Sequence, residues 1–304
     1  MAGWNVYEEV TKRILKQMEE GVIPWRKPWK NNNKYNGGWF PAISFSTKKP
    51  YDIMNQMLLG FQAGTYITFE QCKKAGGHVK KGEKGSFVVG WVVTNNKKQD
   101  ADGNVVVDEN GEAIWEKHFA LRYYNVFNIE TQCEGIDLNK AEEIKPDETI
   151  LEPSEVAEEI MKKYLESEDA PQFDNTGSNR AYYSPSEDKV VVPNIGQYKT
   201  IAEYYSTAFH ELTHSTMKES RCNRQEERKG KNVAFGSEEY SKEELVAEIG
   251  AAALVNFAGI ETDASFQNSA SYIQGWSKKL KEQPKMIVYA SAQAQKAIDY
   301  ILSR

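Results

Sequence analysis

The chain has 304 residues, of which 40% are hydrophobic and 27% charged, and this suits a globular protein of two ordinary domains. No stretch reaches the ~18 apolar residues of a membrane span, and the charged N-terminus has no apolar signal core, so no membrane partner is expected. The three cysteines, Cys72, Cys133 and Cys222, are scattered. Such a sparse, odd set argues against a disulfide framework or a cysteine zinc site and predicts a reducing, cytoplasmic setting.

The net charge of −6 divides unevenly along the chain. Residues 1–98 contain 16 Lys and Arg against 7 Asp and Glu, a balance of +9, whereas residues 99–304 contain 22 against 37, a balance of −15. A basic first part followed by an acidic remainder is typical of two domains with different partners.

Apolar spacing and turn residues predict helices and strands in both halves. An apolar residue recurs at every fourth position from Val6 to Met18, ahead of Gly21, which predicts a helix over 5–20. The other elements predicted in the first half are helices 51–62 and 68–75, strands 86–94 and 115–128, and a hairpin insertion over 95–112. Those predicted in the second half are helix 154–166, a hairpin of 181–184 with 189–193, and helices 201–218, 242–258, 269–282 and 285–302.

The acidic segment 139–153, with Pro146 and Pro153, is the best linker candidate. We therefore expect an α+β protein of two domains joined by residues 141–153. The first, residues 1–140, is expected to be mixed α+β, and the second, residues 154–304, to combine a small sheet with several helices.

The segment His210-Glu211-Leu212-Thr213-His214 lies on one predicted helix. Positions i and i+4 of a helix share a face, so both histidines can present a ring nitrogen to one Zn²⁺ ion. Glu211 lies at the edge of that face and is expected to be the general base, because zinc lowers the pKa of a bound water to ~7. Two ordinary helix histidines are the alternative, but the chain has only four histidines, which limits the risk of a chance match.

A catalytic zinc ion usually has three protein ligands, and no histidine follows this segment. Glu244 and Glu248 lie four residues apart on one predicted helix. One can bind the ion while the other holds the second nitrogen of a histidine, and we expect Glu244 to be the ligand. A capping box of Ser241 with Glu244 would make Glu248 the ligand instead. Gly250 and the alanines after it are small, which lets this helix approach another closely.

Aromatic and basic residues are interleaved in the first 98 residues. Five of the seven tryptophans lie there, Trp4, Trp25, Trp29, Trp39 and Trp91. Aromatic faces stack on exposed bases and basic side chains follow phosphates, a combination that suits single-stranded DNA. The side chains expected to bind it are Trp25, Arg26, Lys27, Trp29, Lys48, Lys49, Tyr51, Lys80, Lys81 and Lys84. From composition alone, core tryptophans and solubilising lysines explain the same pattern.

Around the two glutamates the sequence resembles the gluzincin branch of zinc peptidases, whose glutamate helix reads Asn-Glu-x-x-x-Asp. Glu243, Glu244 and Glu248 occupy these positions, with Glu243 in place of Asn and Glu248 in place of Asp. The resemblance implies that Glu244 is a ligand and that Glu248 supports a ligand from behind.

Longer motifs resemble the ArdC-type antirestriction proteins over nearly the whole chain, in the family's order. Residues 68–71, 76–85 and 124–128 look like the family's N-terminal domain, and residues 210–215, 235–237, 244–251, 272–276 and 292–300 look like its zincin-like domain. Two stretches depart from the family pattern: residues 36–40 are less basic than expected, and the insertion 95–113 is acidic and unfamiliar.

The resemblance implies a single-stranded-DNA-binding domain and a metallopeptidase-type domain that together protect the incoming DNA of a plasmid, phage or other mobile element from host restriction. It implies one Zn²⁺ per chain. Single-stranded DNA and DNA-bound host proteins such as restriction enzymes are the expected partners. Tyr272 is a candidate for stabilising an oxyanion, although a helix-packing aromatic is the simpler interpretation. Two alternatives stay open: a DNA-coating shield with a non-catalytic zinc site, and a DNA mimic, suggested by the −15 balance.

Overall fold

The computed structural model describes residues 5–26, 41–100, 102–136, 152–234, 236–260 and 270–304. The predicted linker lies almost entirely outside these ranges, as do four residues named above, Trp4, Lys27, Trp29 and Trp39. The described residues form two α+β domains, as the sequence predicts. None of their helices combines the length and the hydropathy that crossing a bilayer requires.

In the N-terminal domain, short helices surround a four-stranded sheet. Its elements are α1 Val6–Glu19, a 3-10 turn Pro24–Arg26, β1 Ala42–Ser44, α2 Ile53–Leu58, β2 Gly64–Thr68, α3 Phe69–Lys74, β3 His78–Val79, β4 Ser86–Lys97, β5 Trp115–Asn128, α4 Ile129–Gln132 and β6 Cys133–Glu134. The sheet has the order β1-β2-β5-β4, with β1 and β2 parallel and the other pairs antiparallel. Helix α3 begins at a capping box of Thr68 and Gln71.

The C-terminal domain packs helices on a sheet of three short strands. Its elements are α5 Pro153–Leu165, β7 Gln172–Asp174, β8 Tyr182–Ser184, β9 Lys189–Val191, α6 Ile201–Ser215, α7 Arg224–Glu227, α8 Glu238–Phe257, α9 Ala270–Glu282 and α10 Met286–Leu302. Strand β9 lies between β7 and β8, parallel to the first and antiparallel to the second. The β8–β9 hairpin agrees with the prediction. Strand β7 and helix α7 are too short to show a period and were not predicted.

One hydrophobic core is continuous between the two domains. The buried face of α1 belongs to the same cluster of apolar side chains as residues of α6, α8 and α10. Two hydrogen bonds cross the same contact. Thr11 Oγ1 donates to the Pro284 carbonyl at 2.7 Å, and the Ile53 amide donates to Gln295 Oε1 at 2.8 Å. The domains therefore share apolar burial, which is the main stabilising contribution to folding.

Trp25 belongs to this core. Its side chain has no exposed area, and it meets Trp276 edge to face with ring centroids 6.1 Å apart. A base cannot stack on an enclosed ring, so the expectation that Trp25 binds DNA is wrong in this fold. The alternative from composition, a core tryptophan, is correct for this residue. Trp91 on β4, by contrast, is 52% exposed.

Strands β4 and β5 continue past β2 as a two-stranded arm. Phe87 and Leu121 pack in the core at its base, and the same face continues outwards with Trp91, Phe119 and Trp115, which are exposed. Short bridges in the insertion after β4 confirm the predicted hairpin.

An ion-pair network joins the turn before β9 to the end of α6. Asp188 accepts hydrogen bonds from Arg221 at 2.7 Å, from Lys218 at 2.9 Å and from the Tyr183 hydroxyl at 2.9 Å. The Arg221 side chain has no exposed area. Removing one partner of a buried pair leaves the other charge uncompensated, so Asp188 fixes this loop against the small sheet.

We expect Asp188→Asn to lower the free energy of unfolding by about 2 kcal/mol, because Arg221 stays buried and keeps only the Asp169 carboxylate, 3.8 Å from its Nε, as a counter-charge. The control is Glu166→Gln, since Glu166 pairs with Lys162 on the exposed face of α5, and its effect should stay below about 0.5 kcal/mol. Urea unfolding followed by circular dichroism measures both values. Equal losses would contradict the role given to Asp188.

Candidate metal centre

Two histidines near the end of α6 point to the same place. The helix begins after Thr200, whose side chain accepts a hydrogen bond from the Glu203 amide. His210 and His214 lie one turn apart, and their Nε2 atoms are 3.1 Å apart. Two nitrogens that each lie ~2.0–2.1 Å from one tetrahedral zinc ion are about 3.3 Å apart. The spacing of the two rings therefore fits a shared ion.

Helix α8 brings a carboxylate to the same place. Glu244 Oε2 lies 3.6 Å from His210 Nε2, and Glu244 Oε1 lies 3.6 Å from His214 Nε2. One ligand atom from each of the three side chains falls within 4.8 Å of the other two. Within the described part of the chain, this is the one cluster of at least three His, Cys, Asp or Glu side chains with metal-ligand spacing.

A glycine permits this approach of the two helices. A Cβ atom on Gly250 would lie 2.6 Å from Cγ2 of Thr213, a contact that real Cβ atoms do not make. Thr213 lies between the two histidines and is fully buried. Any side chain at position 250 would therefore push α8, and Glu244 with it, away from α6. The run of small residues that begins at Gly250 predicts this close approach of α8 to α6.

The capping box of Ser241 with Glu244 is not formed. Helix α8 begins earlier, after Ser237, whose side chain accepts a hydrogen bond from the Tyr240 amide. Ser241 is inside the first turns, and its hydroxyl donates to the Ser237 carbonyl. With the cap supplied by Ser237, the Glu244 carboxylate is directed to the histidines.

Glu248 has a different partner from the expected histidine. Arg26 Nη2 donates to Glu248 Oε2 and, at 3.0 Å, to the Tyr272 hydroxyl. The Arg26 guanidinium also lies over the Tyr272 ring, 4.2 Å from its centroid. Arg26 therefore points into the C-terminal domain and not to a DNA surface. Tyr272 also meets the edge of Trp276, so its contacts are those of a packing aromatic.

The partner of a histidine is instead Glu243, which stands where the gluzincin pattern has Asn. Its Oε1 lies 3.2 Å from His214 Nδ1. Arg224 on α7 donates to both oxygens of the same carboxylate, at 2.8 and 3.0 Å. With Nδ1 held by a carboxylate, the Nε2 lone pair of His214 is directed to the cluster. The signal available in the sequence was the position of Glu243, immediately before Glu244.

Burial and opposite charges set the protonation of the cluster. Burial raises the pKa of Glu211, which the neighbouring His214 and His210 oppose. Burial disfavours the charged form of His214, yet the Glu243 and Glu244 carboxylates raise its pKa to about 9. Burial also opposes ionisation of Glu244, but the two histidines lower its pKa below the usual range. The site thus favours positive charge at its centre, as a cation-binding site does.

Two cavities adjoin His210. The first is a cleft of ≈ 350 Å³ that is also lined by Glu211, Glu244, Tyr183 and Tyr240. The backbone amide of Tyr183 lowers the pKa of Glu211, against the effect of burial. Burial raises the pKa of Tyr240 to about 12, and the Glu244 carboxylate adds to this. Tyr240 was not predicted as a site residue because the helix was expected to begin after it.

The second cavity has a volume of ≈ 230 Å³. It lies along α6 and α8, and its lining includes His210, Glu248 and, from the N-terminal domain, Arg26. The expected metal ligand His210 and the expected DNA-binding residue Arg26 therefore line the same cavity. This cavity adjoins the cleft that holds the other two expected ligands.

The remaining DNA-binding candidates in the described ranges lie on the N-terminal domain. Phe45 and Val79 pack against one small cluster formed by Ile67, Cys72, Ile129 and Cys133. Lys48 and Lys49 follow Phe45 on one turn, and Lys80, Lys81 and Lys84 follow Val79 on another. Lys48 Nζ lies 3.7 Å from the centroid of the Phe45 ring. Tyr51 is half-buried against Tyr66.

Comparison with known proteins agrees with this architecture. A family model described as the N-terminal domain of anti-restriction factor ArdC matches residues 4–127, and one described as a zincin-like metallopeptidase matches residues 162–293. Proteins that carry an ArdC N-terminal domain followed by a zincin-like metallopeptidase domain form one class, the ArdC-type proteins. This chain belongs to that class.

Solved and curated relatives extend over nearly the whole chain. Antirestriction ArdC protein from the R388 plasmid, solved metal-free and Mn(II)-bound, has a TM-score of 0.66 in both forms. The identities are 29% and 28%, with 98% and 99% of this chain and 97% and 98% of that one covered. "Uncharacterized protein y4eC" of Sinorhizobium fredii is 27% identical over 98% of this chain and 91% of its own length.

Two longer proteins contain a similar region. Both are "DNA primase TraC" of Escherichia coli, each 32% identical over 98% of this chain. The chain spans 27% of the length of one and 20% of the length of the other.

Metal content tests the choice between the two glutamates. We expect Glu244→Ala to lose stoichiometric Zn²⁺ binding, because a third of the ligand set is removed. Glu248→Ala is the matched control four residues along the same helix, and it should keep about one ion per chain, because Arg26 holds its carboxylate. Mass spectrometry of the metals after dialysis measures both. The reverse result would make Glu248 the ligand.

Proposed function

We propose that this protein is a cytoplasmic antirestriction factor of a plasmid or phage that binds single-stranded DNA and carries a zinc metallopeptidase-type site. The observation that carries the proposal is the meeting of His210, His214 and Glu244 at one point, beside the buried carboxylate of Glu211. Membership of the ArdC-type class and the likeness to an antirestriction protein of a plasmid support it.

The donor set fits a catalytic divalent metal. Two imidazole nitrogens and one carboxylate are among the ligand sets that zinc takes in hydrolytic sites, where a fourth position stays open for water. Zinc bound there supplies a Lewis acid and acidifies water to a pKa of ~7. The Glu243 carboxylate behind His214 orients this ligand.

Glu211 carries the proton transfers of the proposed reaction. As general base it takes a proton from the water that attacks the peptide carbonyl, and it then gives that proton to the leaving amine as the C–N bond breaks. Burial, which raises its pKa, suits a group that both accepts and donates a proton near neutral pH. The Tyr183 amide favours the ionised carboxylate, against the effect of burial.

The edge strand β8 gives a place for the substrate backbone. It is the last strand of the small sheet, and residues 181–183 line the cleft together with the two histidines. An extended peptide can add to an open sheet edge through main-chain hydrogen bonds while its side chains enter adjacent pockets. This arrangement would present a peptide bond to Glu211.

The lysine turns of the N-terminal domain are the proposed DNA contact. Lys48 and Lys49, and Lys80, Lys81 and Lys84, border one hydrophobic cluster, so their charges lie on the same domain region and can follow a phosphate backbone. Binding to DNA would raise the effective concentration of the peptidase site near host proteins on that DNA, such as restriction enzymes.

Glu211→Gln separates chemistry from DNA coating. We expect it to retain one metal ion per chain and to lower peptide hydrolysis by about 10²–10⁴-fold, because the general base is removed. Protection of incoming plasmid DNA from restriction should fall with it. The control is Glu219→Gln, since Glu219 lies on the exposed turn after the same helix.

Two outcomes favour other functions. Full protection by Glu211→Gln with zinc still bound would establish a DNA-coating shield with a non-catalytic metal site. Tight binding to a restriction enzyme without DNA would favour a DNA mimic, which the acidic second part of the chain suggests.

Salt dependence tests the DNA contact. We expect the full chain to bind a single-stranded oligonucleotide with an affinity that falls steeply between about 50 and 200 mM salt, by a log–log slope of about −0.7 per neutralised phosphate. Replacing Lys81 and Lys84 with Gln should make that slope shallower by about 1.4. The same change at Lys278 and Lys281, which are exposed on α9, should leave it unchanged. Fluorescence anisotropy measures the series, and a flat salt response would contradict the proposal.

A further inference from the structure

The cavity of ≈ 230 Å³ beside His210 is built by both domains. Helix α6 contributes His210 and helix α8 contributes Glu248, Ala251 and Val255, whereas Arg26 comes from the 3-10 turn after α1. Trp25, the residue before it, is fixed in the shared core against Trp276. The arginine is therefore held in place by packing, and the cavity would be incomplete without the N-terminal domain.

The cavity contains one ion pair, whose two charges offset each other. Arg26 and Glu248 form an ion pair, and their side chains are only 19% and 20% exposed. Apart from His210, the remaining lining is uncharged, with apolar walls of Ala251 and Val255 and polar groups of Ser206 and Asn256. A carboxylate or an ammonium group entering this space would meet an attractive and a repulsive charge side by side, since Arg26 and Glu248 are in contact.

We propose that this cavity receives the side chain of a substrate residue next to the cleaved peptide bond, and that the Arg26–Glu248 pair restricts it to uncharged polar side chains such as Gln or Asn. The inference rests on the proposed peptidase function. Its support is the shared wall: His210 lines both this cavity and the cleft that holds Glu211. A charged side chain of either sign meets one attractive and one repulsive charge of the pair. It therefore gains no net attraction to offset the loss of its hydration, and the cavity favours an uncharged polar side chain.

Removing one or the other charge of the Arg26–Glu248 pair should change, in opposite directions, the side chain that the cavity prefers. Without the Arg26 charge, Glu248 gives the cavity a net negative charge that favours a basic side chain. Without the Glu248 charge, Arg26 gives it a net positive charge that favours an acidic one. Glutamine at either position keeps hydrogen-bonding groups in place, and the double change restores a neutral cavity.

The test measures binding, so that it does not depend on turnover. Zinc-loaded protein carrying Glu211→Gln is titrated calorimetrically with three peptide hydroxamates that differ only in the side chain next to the metal-binding group, Gln, Lys or Glu. We expect the Gln ligand to bind about tenfold more tightly than the other two. Adding Arg26→Gln should favour Lys over Glu by about tenfold, and adding Glu248→Gln should favour Glu over Lys by about tenfold.

The variant carrying both Arg26→Gln and Glu248→Gln should again prefer the uncharged ligand, and thermal unfolding checks that each variant is folded. An order of affinities that is the same in all variants, or no binding of any hydroxamate, would overturn the inference. Its failure is distinct from failure of the proposed function. A shifting order without peptide hydrolysis by the parent protein rejects the peptidase alone, whereas hydrolysis with a fixed order rejects the cavity alone.

Discussion

The candidate site depends on the contacts of one buried carboxylate, that of Glu243. It is 4% exposed and accepts hydrogen bonds from Arg224, and it lies 3.2 Å from His214 Nδ1. Arg224 also donates to the Thr213 carbonyl and the Thr216 hydroxyl. The polar groups of α6, α7 and α8 are thus joined at one point. Since a buried charge that loses its partner is strongly destabilising, the orientation of His214 is set by folding itself.

The local features of the site could be predicted because they follow from helix geometry. The spacing of His210 and His214 needs only the i, i+4 rule. Glu244 could not be separated from Glu248 by spacing, since the choice depends on where α8 begins and on Arg26, which is 222 positions away from Glu248. Arg224 lies between the predicted helices 201–218 and 242–258, and its burial depends on tertiary partners that no local pattern reveals.

The fold class and the longer helices could likewise be predicted, whereas the role of Trp25 could not. Composition gives the same signal for a tryptophan that stacks on a base and one that fills a core. The deciding feature is the contact between the 3-10 turn Pro24–Arg26 and α9, where Trp25 meets Trp276. The short strands β1, β3, β6 and β7, of two or three residues each, gain their structure from pairing partners far along the chain and have no period of their own.

The common core of the two domains has a consequence for how such genes can be rearranged. A break between the halves would expose the apolar face of α1 on one fragment and its partners on α8 and α10 on the other, so neither piece would keep its solubility. Insertion of the whole pair into a longer protein carries no such penalty. The TraC relatives match 98% of this chain while it covers 27% or 20% of their length, which is the pattern expected when both domains occur together within a longer protein.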